Sequence, residues 1–144
     1  MTTAASSTTH PSTARLRFLP VGVGASLLHA LMLVPGYSQD GFELSEWGGM
    51  LTLSLVVAAV VFIAAVPGGG PRTAVVLGAL AVFPGAVAFW TALAFPLAAG
   101  AIVVGLRSGP DGVRPRAAAV GLGLGVLAIA ATVGITIWDA AANY

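Results

Sequence analysis

The stretch from Thr73 to Leu106 runs for 34 residues without a charged side chain. A single straight helix of that length would extend about 51 Å, at ~1.5 Å per residue. The hydrocarbon core of a bilayer is only about 30 Å thick. The stretch therefore predicts either a helical hairpin that reverses within a membrane, or one long tilted helix kinked at Pro84 and Pro96.

The composition of the chain indicates an integral membrane protein. Of its 144 residues, 58% are hydrophobic and only 8% are charged, whereas soluble domains carry about 25% charged residues. A chain with so few charges cannot cover a water-facing surface, so the expected surroundings are a lipid bilayer. The net charge of +1 gives no support for a nucleic-acid partner. The lack of cysteine excludes disulfides and thiolate metal sites, and the richness in Ala, Gly and Arg without Lys indicates a bacterial, GC-rich origin.

Polar segments divide the chain into a tail and a single membrane domain. Residues 1–14, rich in Ser, Thr and Ala, predict a disordered tail, and residues 15–144 predict a helical membrane bundle. The predicted spans are residues 18–35, 48–66, 73–87, 90–106 and 117–138. The first span also has the pattern of a signal peptide, with residues 36–38 as its cleavage site. Its length and the spans that follow favour an uncleaved helix.

The arginines favour the hairpin over the single long helix. Cytoplasmic loops of membrane proteins carry an excess of Arg and Lys. A hairpin at 73–106 places all six arginines on one side, and Asp40, Glu43, Glu46 and Asp139 on the other. A single span would send the three arginines of residues 107–116 outside. The prediction is an all-α fold with five membrane segments, a cytoplasmic N-terminus and an external C-terminus. The alternative is four spans with one long kinked helix.

Two segments carry a resemblance to a known group of domains. Residues 74–108 read AVVLGALAVFPGAVAFWTALAFPLAAGAIVVGLRS, and residues 117–128 read AAAVGLGLGVLA. This region, about 74–138, resembles the small Gly/Ala-rich helical-hairpin domains of actinobacterial membrane proteins. In those domains a "VLG" helix, a proline-containing turn and a second helix ending in "GL-Arg" precede a basic loop and an "AxxGLxLG" helix. The family has no established activity, so the resemblance implies architecture alone.

Small residues at spacings of three and four predict the faces on which the helices pack, because small side chains let helix backbones approach in a membrane. Each of three spans contains one such face. The residues are Gly22, Ser26 and Ala30 in the first span, Ala94, Ala98, Ala101 and Gly105 in the second hairpin arm, and Ala117, Gly121, Gly125, Ala128 and Thr132 in the last. These faces predict the interior of a compact bundle, or in one case the seam of a homo-oligomer.

His29 is the only ionisable side chain well inside an apolar span. Ionisable groups inside a membrane are costly and indicate function by default. Its spacing from Gly22 and Ser26 places it on the same inward face. The functional interpretations are proton transfer or a ligand contact. The structural interpretation is a neutral imidazole hydrogen-bonded to Ser26 or to a backbone carbonyl. The hydroxyls of Thr52, Ser54, Thr91, Thr132 and Thr136 are predicted to bond their own helices.

The polar loop at residues 36–47 contains three acids and no basic residue. Asp40 and Glu43 have the spacing of a helix capping box, and the rival interpretation is a cation or partner site formed by Asp40, Glu43 and Glu46. Trp47, like Tyr37, suits the membrane interface, where amphipathic rings settle.

No constellation of catalytic residues is visible in the sequence. The glycines at 121, 123 and 125 follow no strand and so are not a dinucleotide motif, and the acids are spread over separate loops. The sequence predicts no catalytic residue, no metal site and no cofactor. We expect a non-enzymatic structural or accessory subunit of a membrane, partnered by lipid and by its own copies or another membrane protein. The alternative is a small transporter or channel component that uses His29 and the acidic loop. An enzyme that uses the three loop acids is a third hypothesis.

Overall fold

The computed structural model describes residues 16–37, 44–109 and 113–143, with backbone alone for 35–37 and 143. The regular secondary structure of these residues is helical, without a strand, which confirms the predicted all-α class. Five helices follow one another along the chain. They are α1 (Leu19–Tyr37), α2 (Leu44–Gly68), α3 (Pro71–Val87), α4 (Ala94–Arg107) and α5 (Arg116–Asn143). The predicted tail at 1–14 lies outside the described residues.

The long uncharged stretch forms two helices rather than one. α3 and α4 are separated by residues 88–93, which contain a short 3₁₀ turn at Phe89–Thr91. Ala74 and Leu77 of α3 share a buried cluster with Ala101 and Val104 of α4. Nearer the turn, Ala81 packs in a second cluster with Ala98. The two helices are therefore antiparallel arms of a hairpin, and the single kinked helix is not formed.

The chain does not reverse at the Pro84–Gly85 pair, although a Pro-Gly pair often marks a turn. Pro84 lies inside α3, where its missing amide hydrogen removes one helical hydrogen bond. Membrane helices tolerate such a proline when neighbouring helices pack closely. The reversal instead uses Ala92, whose φ of 55° is left-handed. Thr91 closes the turn, donating to the Ala88 carbonyl from its amide at 2.9 Å and its hydroxyl at 2.7 Å.

The hairpin is shorter than the helices around it. The 17 residues of α3 extend about 26 Å and the 14 residues of α4 about 21 Å, against about 42 Å for the 28 residues of α5, at ~1.5 Å per residue. The hydroxyl of Ser54 in α2 reaches the carbonyl of Ala92 at the tip of the hairpin. α2 begins at Leu44, roughly 15 Å further along its axis. The tip therefore lies within the bundle and not at its end.

α4 is the centre of the bundle, because it packs against all four other helices. Its buried residues are Ala94, Phe95, Pro96, Ala98, Gly100, Ala101, Val104 and Gly105. α3 and α5 are parallel neighbours, since Gly121 lies against Ala74 and Thr132 lies against Gly85. α1 pairs with α2 through Gly22, which lies against the ring of Phe62.

A wide turn near the end of α2 accompanies a proline. The Val66 amide donates to the Val61 carbonyl, so the segment Val61–Ala65 is a π-helix. Pro67 follows within the same helix and lacks the amide that an ordinary helix would use. A π-turn widens the helix locally and re-aims its side chains. Here Phe62 and Val66 are both fully buried.

The arginines of the described residues lie at one end of the bundle. Successive helices run up and down, so the start of α1, α3 and α5 and the end of α2 and α4 share this end. We call it the basic end, and it contains Arg17, Arg72, Arg107, Arg114 and Arg116. Two described acids, Glu46 near the start of α2 and Asp139 near the end of α5, belong to the opposite end.

Candidate functional site

His29 lies between α1 and the tip of the hairpin. Its side chain has 0% exposed surface. The imidazole stacks on the ring of Phe95 in the first turn of α4, with ring centroids 4.3 Å apart and planes inclined by 26°. The main chain of Phe89 and Ala92 approaches the ring from the turn. The only ionisable group well inside an apolar span is thus enclosed at the point where the hairpin reverses.

Among the described residues, neither nitrogen of His29 has a hydrogen-bond partner. The predicted bond to Ser26 is not formed, because the Ser26 hydroxyl donates to the Ser54 carbonyl at 3.3 Å. The main chain of Phe89 and Ala92 lies close to the ring, as the predicted bond to a backbone carbonyl requires, but neither contact has the geometry of a hydrogen bond. A neutral imidazole carries one donor and one acceptor. Burying such groups without partners costs about 1–3 kcal/mol each, so local hydrogen bonding does not explain this residue.

Two serine hydroxyls, each bonded to a main-chain carbonyl of another element, link α1, α2 and the hairpin tip. Ser26 of α1 donates to Ser54 of α2, and the Ser54 hydroxyl donates to the Ala92 carbonyl at 2.7 Å. Both serines are fully buried. The prediction that Ser54 bonds its own helix is therefore wrong. The same prediction is confirmed for Thr52, Thr132 and Thr136, which each donate to the carbonyl four residues earlier.

The surroundings of the imidazole contain no charged side chain among the described residues. α2 contributes Ser54, α4 contributes Phe95, and the turn contributes backbone. Glu46, the nearest acid along α2, is exposed and precedes Ser54 by eight residues, or roughly 12 Å of helix. Asp40 and Glu43, with their predicted capping box, lie outside the described residues. The described residues contain no group of three His, Cys, Asp or Glu side chains that could hold a metal ion.

Trp47 lies between helices instead of standing free at the end of α2. Its side chain is half-buried, and its indole N–H donates to the Ala30 carbonyl at 3.1 Å. Ala30 directly follows His29 in α1 and is itself buried. The aromatic residue predicted for the interface therefore also ties α2 to the part of α1 that carries the histidine.

The small-residue faces meet one another inside the chain. Gly22 lies against Phe62, Gly121 against Ala74, Gly125 against the Ala98 carbonyl, and Gly105 against the Ala118 carbonyl, while Ala101 is fully buried. Sequence reasoning missed a fourth face on α3, formed by Ala74, Gly78, Ala81 and Gly85. Its spacing was the available signal. The predicted first arm, residues 73–87, already contained all four of these residues.

The geometry defines a class of protein: an all-helical bundle of five helices, with a short internal hairpin and a buried, unpartnered histidine at its tip. Comparison with family models, with curated proteins and with solved structures gave no match.

Proposed function

We propose that this protein is a multi-pass protein of the bacterial cytoplasmic membrane that acts as a non-enzymatic structural or accessory subunit. Two of its described helices, Leu44–Gly68 and Arg116–Ala142, are long and apolar enough to cross a bilayer. Only 28% and 22% of their most apolar windows are buried. A core helix of a soluble protein would bury most of such a window, so low burial supports lipid as the surroundings.

The distribution of side chains by size is the observation that carries the membrane proposal. The interior is rich in small and hydroxylated residues beside a few large ones such as Phe62 and Phe95, whereas many large apolar side chains point outwards, among them Leu31, Leu53, Phe83, Leu127 and Ile137. In water this arrangement is unfavourable, since about 25 cal/mol is lost per Å² of exposed apolar area. In lipid it is the expected one, because close backbone approach through small residues holds the helices together.

The proposed orientation has the basic end in the cytoplasm. α3 and α4 enter from that side and return to it, as a hairpin whose tip is buried against α1 and α2. Topology reporters fused after Gly109 and after Tyr144 test this arrangement. The expected result is a cytoplasmic signal from the first fusion and an external signal from the second. The reverse pattern would overturn both the orientation and the role given to the arginines.

The accessory role predicts a protein partner on the lipid-facing surface. α5 extends beyond the hairpin tip, and there Ile137 and Trp138 are 62% and 71% exposed. A photo-crosslinking residue at position 137 in native membranes should yield one discrete adduct with a second protein. The same residue at the buried Ala128 is the matched control and should yield none. Adducts with lipid alone would contradict the accessory role, and adducts of the chain with itself would indicate a homo-oligomer instead.

His29 supports a second candidate, a small transporter or channel component for protons. A protonated imidazole has two N–H donors, and the main chain of Phe89 and Ala92 supplies carbonyl acceptors close to the ring. These carbonyls would offset part of the cost of burying a charged ring. The acids Asp40 and Glu43, together with Glu46, which lies in the first turn of α2 and not in the predicted loop, would form the external end of the route.

Proton flux into vesicles that contain the purified protein tests this candidate. His29→Ala should abolish a pH-dependent flux, and His29→Gln, which keeps a donor and an acceptor but cannot carry a proton at neutral pH, should abolish it as well. Leu28→Ala is the control, because Leu28 is 56% exposed on the same helix. Equal flux in all four proteins would remove His29 from consideration and leave the accessory role.

A further inference from the structure

We propose that the start of α1 and the end of α4 form a binding site for the phosphate group of an anionic phospholipid. The guanidinium carbon of Arg107 lies 4.6 Å from the ring centroid of Phe18, and that of Arg17 lies 5.8 Å from the same centroid. One aromatic ring therefore gathers two cations from opposite parts of the sequence. This inference rests on the membrane location proposed above and is independent of the role of His29.

Arg107 is held in one orientation by two contacts. One of its terminal nitrogens donates to the Val66 carbonyl at 3.3 Å, and its guanidinium carbon lies over the ring of Phe18. A guanidinium has five N–H donors, so this bond leaves most of them for a ligand. A positioned guanidinium fork matches the oxygens of a phosphate, with which it makes paired hydrogen bonds.

The two guanidiniums form no ion pair with a carboxylate among the described residues, and both side chains are exposed. Like charges brought to the same ring repel each other. An anion between them would convert this repulsion into attraction. Arg72, Arg114 and Arg116 add positive charge at the same end, and basic residues near a membrane surface attract anionic lipid.

Apolar side chains next to the arginines favour a lipid over free phosphate. Leu16 precedes Arg17 and is 51% exposed, and Leu106 precedes Arg107 and is 54% exposed. Phe18 and Leu19 are half-buried against the core of the bundle. A phospholipid can place its phosphate at the arginines and its acyl chain along these apolar side chains. A free phosphate would gain nothing from them.

The test measures the thermal unfolding midpoint of the full-length protein in neutral detergent as lipid is added. Phosphatidylglycerol should raise the midpoint with saturation, whereas phosphatidylcholine and inorganic phosphate should not. A midpoint raised equally by inorganic phosphate would identify a free-anion site and overturn the lipid proposal. A midpoint raised equally by phosphatidylcholine, whose choline cation offsets the charge of its phosphate, would show that the net negative charge of the lipid is not recognised and would overturn it as well.

Matched double variants locate the site. Arg17→Gln combined with Arg107→Gln should raise the phosphatidylglycerol concentration that gives half of the midpoint shift by at least ~10-fold, the equivalent of about 1.4 kcal/mol. Arg114→Gln combined with Arg116→Gln removes the same charge from the same end of the bundle, but not from the ring of Phe18. This control should change the half-saturating lipid concentration by less than about 3-fold. Equal losses in the two proteins would mean diffuse attraction without a site.

A third variant separates ligand binding from folding, because Arg107 also bonds the main chain of α2. Arg107→Lys keeps the charge but loses the fork, so it should fold and yet bind phosphatidylglycerol more weakly. Unchanged binding would contradict a positioned guanidinium. If the protein fractionates with the membrane but shows no preference for anionic lipid, only this inference is overturned. If it fractionates with the soluble contents of the cell, the membrane proposal is overturned as well.

Discussion

His29 and Phe95 stack face to face at 4.3 Å, and this contact joins α1 to the first turn of the central helix. One face of the imidazole packs on the ring of Phe95, while both nitrogens are buried without a hydrogen-bond partner among the described residues. The same ring therefore stabilises the bundle through its faces and destabilises it through its edge. Substitutions can separate these two effects.

Replacing His29 by Leu should leave the stability unchanged or raise it by about 1 kcal/mol, because it removes the unpartnered nitrogens and keeps most of the volume. His29→Ala should lower the stability by about 2–4 kcal/mol, since it leaves a cavity. The free energy of unfolding of the purified protein in detergent measures both. Leu28→Ala, on the exposed face of α1, should have little effect. A large loss in His29→Leu would show that the nitrogens have polar partners in the folded protein.

Two neighbouring glycines of α5 offer a matched pair. A Cβ added at Gly121 would lie 2.6 Å from the Cβ of Ala74 and 2.6 Å from the amide nitrogen of Val75, whereas one added at Gly123 meets nothing within 4 Å. Gly121→Ala should therefore destabilise the protein by about 1–3 kcal/mol through overpacking. Gly123→Ala should be neutral or stabilising, because alanine is the better helix former. Comparing the unfolding midpoints of the two variants measures this, and equal midpoints would contradict the parallel packing of α3 on α5.

The hydroxyl of Ser54 should anchor the hairpin tip. Ser54→Ala removes the bond to the Ala92 carbonyl and should cost about 0.6–1.7 kcal/mol, the range of side-chain hydrogen bonds between membrane helices. Thr52→Ala is the control, because Thr52 bonds its own helix on the exposed face. Hydrogen exchange at residues 88–93 should quicken in the first variant only. Unchanged exchange there would mean that the tip is held without Ser54.

The left-handed conformation of Ala92 should make this position intolerant of branched side chains. Ala92→Val places a β-branched residue at a φ of 55° and in a buried site, which should cost at least ~2 kcal/mol. Ala86→Val, on the exposed face of α3, should cost no more than about 0.7 kcal/mol of helix propensity. Limited proteolysis near the turn and the unfolding midpoint report the difference. Equal effects would argue against this turn geometry.

The hairpin shows how much of the fold could be predicted from the local sequence. The predicted arms, residues 73–87 and 90–106, nearly coincide with Pro71–Val87 and Ala94–Arg107, because the length of an uncharged segment and the charges that flank it are properties of the sequence. The reversal occurs around Ala92, a few residues after the predicted gap at 88–89, and Pro84 stays inside the first arm. A proline breaks a helix only when its surroundings fail to compensate the lost bond, and those surroundings are helices distant in sequence.

The candidate site, like the hairpin, could be predicted only in part from the sequence. The sequence by itself determined that the chain is helical, that its arginines share one end and that His29 shares a face with small residues, since helical periodicity places residues three, four and seven apart on one side. Only the tertiary structure decided that Ser26 bonds Ser54, that Ser54 bonds Ala92 and that His29 is left with Phe95 as its contact. A hydrogen bond between helices depends on which atoms arrive opposite each other, and packing of the whole bundle sets that register.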